Sequence, residues 1–256
     1  MSGDTPTNSP YPAWLLGYGN YMFKARNVVF PILMVVILIG FKPVAPGGDV
    51  ALDNVINWIG VGIALAGAVI RGVVVGMEYI KRGGLGRKVY ADDLVTGGMF
   101  AHGRNPLYVG NLLIVLGTFV IHNSPWVYLI GGAFFIVTYI AIVGAEETFL
   151  LNKFGDQYRD YCDSTMRWGI KFKGLGNTLS EHVFNWRRVI VKEYTTDATA
   201  AVTILIVLGY EQIVRHGMSE AGGALACVAA SLVGVGAATL AIRALKKSGR
   251  LKETQA

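Results

Sequence analysis

Residues Val55–Gly76 read VINWIGVGIALAGAVIRGVVVG, 22 residues in which Arg71 is the lone charge. A helix needs about 20 mostly apolar residues to cross the hydrocarbon of a bilayer, so this stretch predicts a transmembrane helix. Working outward, similar stretches run over Pro106–Ile121 and Trp126–Gly144, with only His122–Pro125 between them. They predict a tight hairpin, with His122 as an interfacial loop residue. A further stretch precedes them at Val28–Phe41, extendable to Val44, and two follow at Ala198–Ile213 and Gly222–Leu245. The fold class is therefore an all-α integral membrane protein of about six transmembrane helices. Composition agrees: 53% of the 256 residues are hydrophobic and 16% are charged, against about 25% charged in a soluble domain.

Lys and Arg set the expected orientation. Lys24 and Arg26 precede the first span. Lys81, Arg82, Arg87, Lys88 and Arg104 lie between the second and third. Lys153, Arg159, Arg167, Lys171, Lys173, Arg187, Arg188 and Lys192 lie between the fourth and fifth, and Arg243, Lys246, Lys247, Arg250 and Lys252 close the chain. The other side has only Lys42 and Arg215. Every second loop is basic, which places both termini in the cytosol. The net charge of +6 then faces anionic lipid, and nucleic acid is not the expected partner. Glu181–Tyr194 mixes apolar and basic residues and reads as a helix lying in the interface before the fifth span. Cys162 and Cys227 are far apart, with no CxxC or Cys/His cluster, so no disulfide framework and no metal site is expected. Met1–Pro12 lacks the basic start and early apolar run of a signal peptide.

Three features exceed plain scaffold. The first is Asp92–Phe100. In the second, Arg104–Asn111, Asn105 suits an N-cap and Pro106 a first helical residue. A helix start with free N–H groups beside a cation suits a carboxylate or phosphate. An ordinary capped helix with a snorkelling Arg104 reads equally from these residues. The third is Glu146-Glu147 at the end of the fourth span, followed by Phe154-Gly155, Tyr158 and Tyr161. Adjacent carboxylates there could hold a cation or an amine or bond a ribose. They could also be a solvated helix end paired with Lys153. Arg71 and Glu78, seven residues apart, share a helix face. Arg71 either snorkels or meets an anionic group in a cavity. Gly83, Gly84 and Gly86 lack the frame of a phosphate loop. His102 and Met99 read as packing or interface residues. The spans show no evident intramembrane charge pairs of the transporter kind.

The order and spacing of these blocks resemble the isoprenylcysteine carboxyl methyltransferase and phospholipid methyltransferase superfamily, in the form of a bacterial-type member. The residues that carry the resemblance are Leu94-Val95-Thr96, Gly98, Arg104, Pro106, Tyr108, Gly110 and Gly117, then Glu146-Glu147, Leu150, Phe154-Gly155, Tyr158 and Tyr161. They fall within about residues 90–165. The resemblance implies a helical membrane enzyme that uses S-adenosylmethionine at its cytosolic face and takes a lipid-like or small apolar acceptor from the bilayer. Carried over by position, the cofactor contacts are Leu94, Val95, Phe100, Arg104, Asn105, Pro106, Tyr108, Gly110 and Glu146. Arg104 and the helix start would face the methionine carboxylate, and Glu146 the cofactor's other polar groups. The chain then divides into N-terminal spans (28–90), a methyltransferase-like core (90–165), an interfacial segment (166–194) and a C-terminal helix pair with its tail (195–256), all in one membrane domain.

The sequence departs from the isoprenylcysteine enzymes at Asn105, where they carry His, at Phe100, where they carry Tyr, and at Ile142, where they carry an Arg linked to the substrate carboxyl. The last departure counts against a prenylcysteine carboxylate as acceptor. No strong general base stands near the motif; Glu147 or Tyr108 would take a proton from an amine, the catalytic role assigned to them here. The rival enzyme is an NADPH-dependent membrane reductase of the steroid 5-alpha-reductase type, and the rival from another class is a non-catalytic membrane protein. Gly222-Gly223 and Gly234–Gly236 leave room for close helix packing in an oligomer. With no organellar address, the expected location is a bacterial inner membrane.

Overall fold

The computed structural model describes residues 9–78 and 89–251. The cations Lys81, Arg82, Arg87, Lys88 and Lys252, the glycines Gly83, Gly84 and Gly86, and most of the leading segment lie outside the described residues. The architecture is helical, with no strand among the described residues. Among the described residues, five helices are long and apolar enough to cross a membrane. These are α1 (Ala13–Gly40), α2 (Val50–Met77), α4 (Gly132–Phe154, continued backward by a π-turn at Val127–Gly131), α7 (Trp186–Glu220) and α8 (Gly222–Lys247). The sixth expected span is α3 (Pro106–His122), whose 17 residues sit at the short limit for crossing. Two short helices, α5 (Asp156–Ser164) and α6 (Leu175–Glu181), lie in the connection between α4 and α7.

The antiparallel pair α2–α3 is the closest helix contact. A Cβ on Gly117 would lie 2.4 Å from the carbonyl oxygen of Gly60, and one on Gly67 would lie 2.5 Å from that of Gly110. Only glycine permits that approach, as in other small-residue membrane contacts. On the other flank α1 packs along α4, with Leu16, Gly19, Met22 and Phe23 buried at helical spacing. α7 lies across α2 and α3, whereas α8 packs chiefly on α7 and buries none of its residues.

Several expectations are corrected. α1 begins well before Val28, so Lys24 and Arg26 are helical rather than a loop before the span. Hydropathy finds the lipid-crossing part of a helix, not the part that buries a stripe on a neighbour. The interfacial helix is not separate from the fifth span. No Gly or Pro falls between Trp186 and Leu208, so α7 runs on unbroken from an Asn185 cap whose side chain accepts from the Arg188 N–H at 2.9 Å. From Trp186 to the kink at Gly217, where φ is 74°, it makes about 46 Å, longer than the roughly 30 Å hydrocarbon core. His122 ends α3 and is fully buried, its Nε2 2.9 Å from the Leu38 carbonyl and 3.1 Å from that of Phe41. Charge pairs do occur within the spans: Arg71 bonds Glu193, and Arg215 bonds both Asp53 and Glu211.

The glycine contact gives a direct test. Gly117→Ala puts a methyl group against the α2 backbone, and overpacking of this kind costs about 1–3 kcal/mol. Thermal unfolding in detergent should show a lowered midpoint for Gly117→Ala. Gly62→Ala should cost little, because no atom lies within 4 Å of a Cβ there.

Candidate functional site

Polar residues gather where the C-terminal ends of α2 and α4 meet the N-terminal ends of α3 and α7. Glu146 and Glu147 are adjacent on α4, and successive helical residues point about 100° apart. Their carboxylates therefore face different partners. Glu146 accepts a hydrogen bond from the Tyr108 hydroxyl at 2.7 Å, and that hydroxyl accepts one from Arg26 at 3.0 Å. Glu147 meets Arg104 at 3.7 Å and is gripped by Arg167, whose Nε donates to it at 3.1 Å. The Asn105 side-chain amide donates to the Arg167 carbonyl at 3.2 Å, beside this grip.

Asn105 occupies the cap position of α3 but makes no capping hydrogen bond, and Pro106 is the first helical residue as expected. The segment before it is fixed from two sides. Tyr161 donates to the Phe100 carbonyl at 2.7 Å. His102 bonds the Lys171 carbonyl at 2.7 Å and Thr178 at 2.8 Å, and the Arg104 amide donates to the Met166 carbonyl at 2.8 Å. His102 and Met99 are buried, in line with their packing reading. Phe100 and Met99 belong to a turn at Gly98–Ala101, with Gly98 at φ 53°. Leu94 and Val95 lie half-buried in the irregular segment leading to it.

Burial pushes the Tyr158 and Tyr161 phenols well above their usual range, so both remain neutral donors at ordinary pH. Burial alone would lower the Arg104 pKa, but the neighbouring Glu147 carboxylate helps outweigh it, and the net shift is upward. Among the described residues, the buried Arg104 Nε has no hydrogen-bond partner. A buried donor of this kind has hydrogen-bonding capacity to spare.

The structure thus joins Arg104, Asn105 and Glu147 in one cluster and Tyr108 and Glu146 in another beside it. Gly110 is not part of either. It faces α2, where a Cβ would meet the Arg71 side chain at 2.5 Å. Arg71 does not snorkel; it is buried against Glu193. Lys153 turns to the Ala91 and Asp92 carbonyls rather than to the glutamates. Ile142 is fully buried with Met22 and Phe23, and Val89 and Tyr108 pack on them. Two site residues escaped the sequence reading. Arg26 lies on the buried stripe of α1, its guanidinium 4.2 Å above the Phe23 ring, and the i, i+3 spacing of Phe23 and Arg26 was its signal. Arg167 sits in an irregular connection with no periodicity, its guanidinium 5.0 Å from the Tyr11 ring, and left no such signal. Among the described residues, no group of three or more His, Cys, Asp or Glu is placed to hold a metal ion.

The fold and this cluster define a helical membrane protein with a charged, water-shielded site at one end of its bundle. Residues 57–157 match the family model of the phospholipid methyltransferases, in agreement with the superfamily that the two motif blocks resemble. The matched segment contains Arg71, Arg104, Tyr108, Glu146 and Glu147, and leaves Arg26, Arg167 and Glu193 outside it. Comparison with curated proteins and with solved structures finds no match.

The grip on Glu147 can be measured. Arg167→Met leaves the carboxylate with a single cation at 3.7 Å. The expected loss is about 2 kcal/mol, below the roughly 3–5 kcal/mol for breaking a fully buried pair, because the Arg167 side chain is 30% exposed. An unchanged unfolding midpoint would show that Arg167 does not hold Glu147.

Proposed function

We propose that this protein is an S-adenosylmethionine-dependent integral membrane methyltransferase whose acceptor is lipid-like or small and apolar. The family match over residues 57–157 supports methyl transfer rather than NADPH-dependent reduction. The observation that carries the cofactor reading is the buried Arg104 Nε, without a partner among the described residues, next to the start of α3. A carboxylate such as that of the cofactor's methionine moiety fits this donor and the helix-terminal N–H groups. Asn105 and Pro106 shape that helix start, and Phe100, Leu94 and Val95 lead up to it. Glu146 and Tyr108 offer hydrogen bonds on the neighbouring side.

When bound, the cofactor supplies a methyl group already activated on a sulfonium. The residues of the chain orient, exclude water and move protons. Met22, Phe23, Ile142 and Val89 form an apolar wall beside Tyr108, which keeps water from the acceptor. For an amine acceptor, one proton must leave. Glu147 is already committed to Arg104 and Arg167, so its geometry suits holding Arg104 in place. The Tyr108–Glu146 pair suits the proton: Glu146 is its acceptor, directly or through the Tyr108 hydroxyl. A carboxylate or thiolate acceptor would not need this step. The basic loops support a site on the cytosolic side of a bacterial inner membrane, with the bilayer delivering the acceptor. The small residues of α8 leave an oligomer open.

The test is calorimetric titration of the detergent-purified protein with S-adenosylmethionine, S-adenosylhomocysteine and, separately, NADPH. Both adenosyl ligands should bind, and Arg104→Ala or Glu146→Ala should weaken them at least tenfold. Binding of NADPH alone would assign the chain to the reductases instead. With methyl-labelled cofactor and phosphatidylethanolamine nanodiscs as the first acceptor tried, Glu146→Gln should slow transfer more than it weakens S-adenosylhomocysteine. An equal loss in both would remove the proton-accepting role.

A further inference from the structure

α7 lies wholly outside the segment that matches the family, yet it places one carboxylate deep in the bundle. Glu193 is 1% exposed and Arg71 is 6% exposed. Arg71 directs two donors at the same Glu193 oxygen, Nη2 at 2.7 Å and Nε at 2.9 Å. Its remaining arm, Nη1, donates to the Asn111 side-chain oxygen at 2.5 Å. Nη1 also donates to the Leu107 carbonyl at 3.5 Å, so Arg71 holds α3 on both sides of Tyr108. The Tyr139 ring packs on the Tyr108 ring with centroids 5.4 Å apart, and Tyr108 donates to Glu146. A line of polar contacts therefore runs from Glu193 on α7 through Arg71 on α2 to the turn of α3 that carries Tyr108.

Such a line is costly. Each ion of a buried pair loses several kcal/mol of hydration, and apolar residues of similar volume often stabilise a fold as well or better. What a guanidinium supplies and an apolar side chain does not is a fixed fork of donors. Here the fork sets Glu193 on one side and Asn111 on the other. The absence of a side chain at Gly110 is what lets the stem of Arg71 pass between α2 and α3.

We propose that Arg71 and Glu193 are positioning residues. They fix Leu107 and Asn111, and with them the turn of α3 that carries Tyr108, so that α7 is part of the site and not an appendage to the family core. The proposal rests on the cofactor-binding reading above, and the experiment separates the two. A second buried charge cluster, in which Arg215 bonds Asp53 and Glu211 at the opposite ends of α2 and α7, provides the control. Full-length Arg71→Met, Arg71→Lys and Asp53→Asn are compared with wild type in nanodiscs for unfolding midpoint and for S-adenosylhomocysteine affinity. Arg71→Met should weaken the ligand five- to tenfold and Arg71→Lys should restore part of it. Asp53→Asn should lower the midpoint and leave affinity within twofold. A loss of affinity that merely follows the midpoint in all three variants, or unchanged affinity in Arg71→Met, overturns the positioning role while leaving the cofactor reading intact. If wild type binds no adenosyl ligand, the cofactor reading fails. The positioning claim is then read from stability alone: Arg71→Met and Tyr108→Phe should be non-additive in midpoint, and strict additivity overturns it.

Discussion

The close approach of α2 and α3 constrains everything at the site end. With glycine at Gly60, Gly67, Gly110 and Gly117, the two backbones come within reach of each other's carbonyls. In lipid, association of helices draws on this kind of contact, because the hydrophobic effect does not separate one apolar helix from the surrounding chains. The contact fixes the start of α3 relative to the end of α2. It thereby sets where Arg104 and Asn105 lie, and which way Tyr108 points. Gly110, aligned by the resemblance with cofactor contacts, fits this packing role better than a ligand role. Tyr108, two residues earlier, is on the opposite side of the helix, facing α1 and α4.

The site then follows from the angular spacing of neighbours on one helix. Two adjacent carboxylates looking the same way would repel strongly in a poorly solvated place. On α4 they diverge, and each meets its own cation: Arg26 near Glu146 through Tyr108, Arg104 and Arg167 around Glu147. Those cations come from three separate parts of the chain, and only Arg104 belongs to the motif. The connection after α4 supplies both Arg167 and the backbone carbonyls that hold the segment around Arg104, at Met166 and Lys171. It is thus a wall of the site rather than a linker.

Apolar runs and the two motif blocks make the helices and the Arg104–Glu147 association legible in the sequence. Hydropathy locates the lipid-crossing parts but misjudges where helices end, because a helix continues wherever its stripe is buried or nothing breaks it. That is why the start of α1 and the first turns of α7 read as other things. Long-range polar partners are the least legible. Nothing local to Arg71 announces Glu193, which is more than 100 residues away, and nothing local to Arg167 announces its grip on Glu147. Snorkelling is the reasonable expectation for an isolated Arg in an apolar run. It fails when a carboxylate on another helix is brought to it by packing that no single segment encodes.

Those unforeseen pairs obey a common spacing. Asp53 and Arg71 on α2 are 18 residues apart, and so are Glu193 and Glu211 on α7. At about 1.5 Å per residue that is about 27 Å, close to the roughly 30 Å thickness of the hydrocarbon core. The helices run antiparallel, so Arg71 meets Glu193 at one border, and at the other Asp53 meets Arg215 while Asn57 donates to Glu211 at 2.8 Å. Between the borders the α2–α7 contact carries no other charged residue of α2, since Arg71 is the lone charge from Val55 to Gly76. The charges therefore stand toward the two ends of the α2–α7 contact and away from its middle, where a buried ion would cost most. They also fix the register of α7, since sliding it by one turn would part both pairs at once. A helix free to slide could not hold Arg71 steady against Asn111; one pinned at both borders can.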